Sequence, residues 1–267
     1  MKKADLHHFP RLFRNIANWP EYTFYKGERS KRPLQFRTRP NAISFEVSQS
    51  LYWVFKELFV EDFYNIKELT SSLPAHPIIL DIGANAGFFD ILVLSKLKDA
   101  RIWAYEPLPS NCNLIEATIQ RNQLLREGLQ LFNLAVTGLP VESIKLYTEN
   151  TGSNSEIASV FSNFDSRNTN AVTVRAQSLT SIIKENDFKK IDLLKLDCEG
   201  SEYDILYNTP GEVLRVVKKL VVEVHEIDAD VNNVGALTRY LQKTGYNTRS
   251  RQITGTTFYL EAIKGFN

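Results

Sequence analysis

Residues 77–97 read PIILDIGANAGFFDILVLSKL: a short continuous apolar run, a turn holding two glycines, then a helix-like pattern. A continuous apolar run of strand length is what a strand covered on both faces requires, and that is the setting of a parallel sheet. Gly83 permits a backbone dihedral closed to other residues, and Gly87 lets the chain pass close to a ligand or to the sheet. A dinucleotide loop would place a third glycine at position 85 or 88, where this chain has Asn85 and Phe88.

Strands and helices alternate from this turn onward. IILDI is followed by a helix over 88–98, RIWAYE by a helix over about 110–124, and then comes LQLFNLAV. After an interruption the order resumes with a helix near 178–187, IDLLKLD, a helix from 201, KKLVVEVH and a helix over about 231–243. This order predicts right-handed crossovers and an α/β fold with a mostly parallel sheet. YNTRSRQ and TTFYLEAI are joined by only a short link, so they are expected to pair antiparallel at the sheet edge. Upstream, LQFRTRPNAISFEV (34–47) reads as a hairpin and SLYWVFKELFVEDFY (50–64) as a helix with an aromatic face.

A chain of 267 residues suits one full core. We divide it into a basic, aromatic-rich accessory segment over 1–73 and a cofactor-binding domain over 74–267. Residues 1–40 hold ten lysines and arginines against three acids, an excess of seven positive charges. This segment is expected to pack on the domain and help shape an acceptor pocket, and its charge favours an anionic acceptor. The interruption, NTGSNSEIASVFSNFDSRNTN (150–170), is twelve parts Ser, Asn and Thr and reads as a mobile cover over the site. No apolar stretch approaches bilayer length, and the first ten residues lack the apolar core of a secretory signal. Cys112 and Cys198 lie far apart, as reduced cytoplasmic thiols. No His, Cys and Asp cluster has metal-ligand spacing, so no metal ligand is assigned, although paired acids at strand ends could hold a divalent ion.

The turn at 81–87 and the strand end beyond it point to a particular ligand. Unpaired N–H groups at a helix start favour a carboxylate as readily as a phosphate. Asp81, at the strand's carboxyl end, suits an ammonium group. Glu106 lies nineteen residues beyond Gly87, the spacing at which an acid meets ribose hydroxyls. Together these ask for adenosine linked to an amino acid, and S-adenosylmethionine is the common cofactor of that description.

The stretches LDIGANAGFFDIL, AYEPLPSNCNLIEATIQRN, NLAVTG, VRAQSLTSII, LLKLDCEGSEYDIL and VVEVHE follow, in order, the pattern of the FkbM-family S-adenosylmethionine-dependent methyltransferases, which this chain resembles. The resemblance implies a class I methyltransferase fold, with a Rossmann-like, mostly parallel sheet of seven strands and an antiparallel last strand. It also implies O-methylation of sugar or natural-product hydroxyls. By that similarity Asp81, Gly83, Asn85, Gly87, Glu106 and Asn111 belong to the cofactor site, with Ala84, Phe88 and Pro107 beside them and Ala135 bordering the adenine.

Methyl transfer needs a nucleophile held in line, and a hydroxyl is helped by a base. Ligands of open α/β sheets sit at the strand carboxyl ends. Asp197, Glu199, Glu223 and His225 occupy such ends, and Asp197 also lies near the cofactor. Glu223 and His225 share one face of a strand, so a carboxylate could orient an imidazole base that titrates near neutrality. Alternatively Asp197 and Glu199 cap the helix near Ser201, and His225 is structural. The expected partner is a small-molecule or glycan acceptor with a free hydroxyl, not nucleic acid. Two rival classes share these features: a nicotinamide-dependent oxidoreductase, and a non-catalytic cofactor-binding module.

Overall fold

In a computed structural model the chain is described over residues 9–25, 32–149, 158–161 and 168–265. The N-terminal part holds helices α1 (Phe9–Asn15) and α2 (Pro20–Tyr25) and the hairpin β1 (Leu34–Arg37) and β2 (Ser44–Val47). Helix α3 (Tyr52–Lys56) runs on into a π-helical turn over Glu57–Glu61, and α4 (Ile66–Ser71) comes after it. The domain proper begins with β3 (Ile78–Ile82), α5 (Phe88–Lys96), β4 (Arg101–Tyr105), α6 (Pro109–Arg121), α7 (Gln123–Gly128) and β5 (Leu129–Phe132). Next come β6 (Ala135–Thr137), β7 (Ser143–Glu149), β8 (Ala158–Ser159), β9 (Asn168–Ser178) and α8 (Leu179–Glu185). The chain continues through β10 (Leu193–Leu196), α9 (Glu202–Asn208), α10 (Gly211–Leu214), β11 (Lys219–His225), α11 (Val234–Lys243), β12 (Tyr246–Thr254) and β13 (Thr257–Lys264).

The central sheet has seven strands in the order β12-β13-β11-β10-β3-β4-β5. Strands β11, β10, β3, β4 and β5 are parallel, and β13 enters antiparallel between β11 and β12. This is the expected class I arrangement. Successive strand residues serve opposite faces, as the two-residue period demands. Ile79, Leu193 and Val221 join the core beneath α5, α6 and α7, whereas Leu80, Leu194 and Val222 join the core beneath α8, α9 and α11.

The sequence reading departs from the structure in two places. LQLFNLAV is not one strand. Asn133 donates from Nδ2 to the carbonyls of Glu106 (3.0 Å) and Pro107 (2.9 Å), which turns the chain out of the sheet after Phe132. Ala135–Thr137 then pairs in parallel with β9 in a second sheet, ordered β6-β9-β7-β8. That sheet takes up the middle and the far end of the Ser/Asn-rich interruption: Tyr147 pairs with Ser159, and Thr148 with Asn170. Residues 150–157 and 162–167, on which a mobile cover was expected, lie outside the described residues.

The N-terminal part shares a core with the domain. Phe36 stacks on Phe55 at 4.5 Å between ring centroids, Phe55 on Phe59 at 5.1 Å, and Phe45 meets Phe88 of α5 at 5.5 Å. Phe55 and Phe59 are one helical turn apart and point into this aromatic core, while Trp53 is 65% exposed. A buried phenylalanine cut to alanine loses its transfer energy and leaves a cavity. Phe55→Ala should therefore cost about 3–5 kcal/mol. Urea denaturation followed by fluorescence should show that loss in a single transition. Two separated transitions would mean that residues before 74 fold apart from the sheet.

Candidate active site

The turn after β3 is held by contacts that name its residues. Gly83, at φ +83°, donates its N–H to the Tyr105 carbonyl at 3.0 Å. A side chain there would place a Cβ 1.9 Å from the Asp197 carbonyl oxygen, so the ends of β3 and β10 meet only over glycine. Asn85 adopts the left-handed conformation, φ +51°, which asparagine tolerates better than most residues. This aims its N–H at Glu106 Oε2, 2.8 Å away. Glu106 Oε1 accepts from the Leu108 N–H (2.9 Å) and from Asn111 Nδ2 (3.3 Å). Burial pushes the Glu106 carboxyl up to about 7, and these N–H donors hold it down from going further.

A cavity of about 260 Å³ opens over the strand ends. Glu106, Pro107, Asn111, Gly83 and Asn85 form one part of its wall, and Leu134, Ala135, Val136, Ile144 and Leu146 add an apolar shelf. Asp197, Glu199 and Glu223 line it on the other side of β3 in strand order. Among the described residues its lining holds five carboxylates and no lysine, arginine or histidine. The described basic residues of the first forty take no part in it, so the anionic acceptor expected from their charge meets none of them here.

The remaining expected cofactor residues lie behind this wall. Asp81 is fully buried, and its carboxylate pairs with Lys195 Nζ at 2.9 Å. The ammonium partner foreseen for Asp81 is thus a lysine of the chain itself, not a ligand group. Gly87 packs on Ile115, and Phe88 sits in the aromatic core. Ala84 and Phe88 border a narrow adjoining cleft of about 40 Å³ beside Tyr64 and Lys195.

His225 also stands behind the lining, and its role differs from the one its spacing implies. Its Nε2 lies 3.4 Å from Glu199 and 3.6 Å from Glu223, and its Nδ1 lies 3.6 Å from Glu202. Burial alone would lower its pKa, but hydrogen bonds to Glu202 and Glu223 and the charge of Glu199 push it up to about 12. A histidine held among three carboxylates at these distances favours the imidazolium form. That direction runs against the near-neutral base expected from its place beside Glu223.

The acids carry the near-neutral titrations instead. Glu199 is raised to about 8 by burial, against the pull of His225. Glu223 is raised to about 7 by burial and by Asp197, again opposed by His225. Glu199 takes a left-handed backbone, φ +50°, which favours glycine over most residues. Glu202 secures that loop by accepting the N–H groups of Cys198 (2.8 Å) and Gly200 (3.0 Å), while Ser159 donates to the Glu199 carbonyl (2.6 Å). The capping alternative for Asp197 and Glu199 is therefore not met: Ser201 is the N-cap of α9, and Glu202 accepts the loop's N–H groups. Sequence reasoning missed Glu57 and Val54, which line the cavity from α3 and its π-helical turn, while Trp53, expected to help shape an acceptor pocket, lines it beside them. It also left Lys195 without a role. A lone charge inside the apolar run LLKL signals a buried partner.

No three His, Cys, Asp and Glu side chains among the described residues are grouped to hold a metal ion. The residues present do fit S-adenosylmethionine. A fixed carboxylate can accept from ribose hydroxyls, an apolar shelf has room for a flat base such as adenine, and an acid-rich wall complements a sulfonium cation.

A Rossmann-like sheet with this pocket at its strand ends is the frame of a class I methyltransferase. The chain belongs to the FkbM methyltransferase family, matching the Methyltransferase FkbM domain over residues 81–248. By family it is a methyltransferase, and its pocket fits S-adenosylmethionine as the methyl donor. Methyltransferase sdnD of Sordaria araneosa is 27% identical over 229 residues, covering 74% of this chain and 83% of that one. AMB antimetabolite synthetase AmbE of Pseudomonas aeruginosa is 26% identical over 243 residues, covering 78% of this chain. The chain spans 11% of AmbE's length. Among solved structures, Methyltransferase FkbM from Methylobacillus flagellatus superposes with a TM-score of 0.48 at 16% identity, covering 70% of this chain and 44% of that one.

Glu106→Ala removes the acceptor of two backbone N–H groups and the carboxylate expected to meet the ribose hydroxyls. Hydrogen bonds to a charged group are worth about 1.5–3 kcal/mol, so S-adenosylmethionine and its demethylated product should both bind roughly ten- to a hundredfold more weakly. Titration calorimetry checks this. Unchanged affinity for both ligands would remove Glu106 from the cofactor site.

Proposed function

We propose that this chain transfers the methyl group of S-adenosylmethionine to a hydroxyl oxygen of a small molecule or glycan. The observation that carries the reading is the group of cavity carboxylates, Asp197, Glu199 and Glu223, the last two titrating near neutrality. When bound, the cofactor supplies a methyl group on a positively charged sulfur. The chain holds the cofactor through Gly83, Asn85, Glu106, Pro107, Asn111 and Ala135. It holds the acceptor beside Asp197, Glu199 and Glu223, with His225 as their counter-charge.

A hydroxyl must lose its proton as its oxygen attacks, and a group of near-neutral pKa receives it best. A lining of five acids and, among the described residues, no basic one gives a carboxylate or phosphate acceptor no counter-charge, which favours a neutral or cationic molecule and disfavours nucleic acid. AmbE is named as an antimetabolite synthetase, which supports natural-product acceptors. Family membership sets the nicotinamide reading aside. A binding module without activity has no need of a strained backbone that aims Glu199.

Methyl transfer from labelled cofactor to fractionated small-molecule extracts, with the product's methyl position read by carbon NMR, tests this. Attachment to oxygen is expected, and attachment to nitrogen or carbon overturns the reading. The rate should rise with pH through the carboxyl range of about 7–8, because a cavity carboxyl must be ionised before it can accept the proton. His225→Gln removes a cation that lowers these pKa values, so the rise should move to higher pH, with turnover reduced roughly tenfold or more. Loss of the rise altogether would make His225 the titrating base.

A further inference from the structure

We infer that Glu57, from the segment preceding the family-matched region, is the catalytic residue that takes the proton from the acceptor hydroxyl. This assignment rests on the oxygen-transfer reading above and names the group that completes it. Glu57 lines the main cavity together with Asp197 and Glu223, and the same three carboxylates border the small adjoining cleft. It opens a π-helical turn, Glu57–Glu61, a feature that recurs at functional positions within helices.

The other acids of the cavity are already engaged. Glu106 accepts three hydrogen bonds. Asp197 lies 3.6 Å from Lys195 and accepts from the Tyr64 hydroxyl at 3.4 Å. Glu199 and Glu223 flank the His225 imidazolium. Each of these carboxylates is already held by a donor or a cation of the chain. The Glu57 carboxylate has no hydrogen bond or ion pair among the described residues. Its neighbouring cation does not reach it: Lys56 pairs with Glu61 at 2.7 Å and lies over the Trp53 ring at 4.7 Å.

The charged groups facing Glu57 come from every element around it. Burial raises its pKa to about 8, helped by Glu223 of β11, Asp197 after β10 and Glu61 of its own turn, while His225 pulls in the opposite direction. In the step proposed, the hydroxyl O–H bond breaks and its proton passes to the Glu57 carboxylate. The acceptor oxygen bonds the methyl carbon as the carbon–sulfur bond breaks, and that electron pair remains on sulfur. The sulfonium charge is thereby neutralised, and one proton leaves from Glu57 to solvent after turnover.

The test uses the full chain and Glu57→Gln, which keeps size and removes the base. Turnover should fall by about a hundredfold or more, with acceptor KM and affinity for the demethylated cofactor changed by less than about threefold. The rise of the parent rate through pH about 8 should be absent from the residual activity. A second measurement needs no substrate: in protein carrying carboxyl-labelled glutamate, one of the carbon resonances that titrate near 8 should be missing from Glu57→Gln. Parental turnover in Glu57→Gln, with the methyl still delivered to oxygen, overturns the assignment and leaves the oxygen reading intact. A Glu57 resonance titrating in the ordinary carboxyl range also overturns it. A product methylated on nitrogen or carbon overturns the reading itself, whatever Glu57→Gln does, and the assignment with it.

Discussion

The Lys195 ammonium, 3% exposed, lies 2.9 Å from Asp81 and 3.6 Å from Asp197, and it donates to the Gly83 carbonyl at 2.6 Å. Burying a cation is costly, and removing one partner of a buried pair leaves the other charge uncompensated. Here both carboxylates and the carbonyl converge on one nitrogen, and their attraction more than offsets the burial that would otherwise lower its pKa. The lysine therefore ties the end of β3 to the loop after β10. Gly83 can lie against the Asp197 carbonyl because the two strand ends are drawn together at this point. Asp90 extends the cluster: burial and the adjacent Asp81 raise its pKa well above the ordinary aspartate value.

From this tie comes the cavity's electrostatic character. Asp197 is aimed outward at the cavity by an interaction on its inner side. His225, at the end of β11, does the same for Glu199 and Glu223. The two buried cations stand behind the lining and the carboxylates stand in it, so the cavity presents a negative face to its ligands. Such a face strengthens binding of a sulfonium and disfavours anions, and low dielectric enlarges both effects. The described basic residues of the first forty lie outside the lining and leave that face negative.

The sheet and its turn are legible in the sequence because their signals are local. Continuous apolar runs mark β3 and β10, two glycines mark the turn, and Glu106 stands at a spacing set by one helix and one strand. The second sheet is not legible, since Asn133 leaves the central sheet through side-chain bonds to the Glu106 and Pro107 carbonyls that no periodicity announces. Asp81 is read correctly as an acid needing a cation, but that cation belongs to Lys195, its register partner on the neighbouring strand β10. Distant pairings of that kind come from strand register, not from spacing. His225 fails for a related reason: Glu223 is visible two residues away, whereas Glu199 and Glu202 reach it only through the fold.

The N-terminal segment shows how packing and chemistry share one helix. Trp53 and Glu57 are four residues apart and face the cavity, whereas Phe55 and Phe59, also four apart, face the aromatic core. A helix turns about 100° per residue, so fixing the phenylalanines fixes where Glu57 points. The π-helical turn begins at Glu57 itself, and its wider spacing adjusts the later residues without moving the earlier ones. Phe88 links this to the cofactor turn, because it comes directly after Gly87 and packs on Phe55 and Phe59. One aromatic core thus sets the distance between the cofactor loop and a wall built outside the family-matched residues. A slip of a single residue in that helix would swing Glu57 through about 100° and bury or expose it, while leaving the cofactor loop where it is.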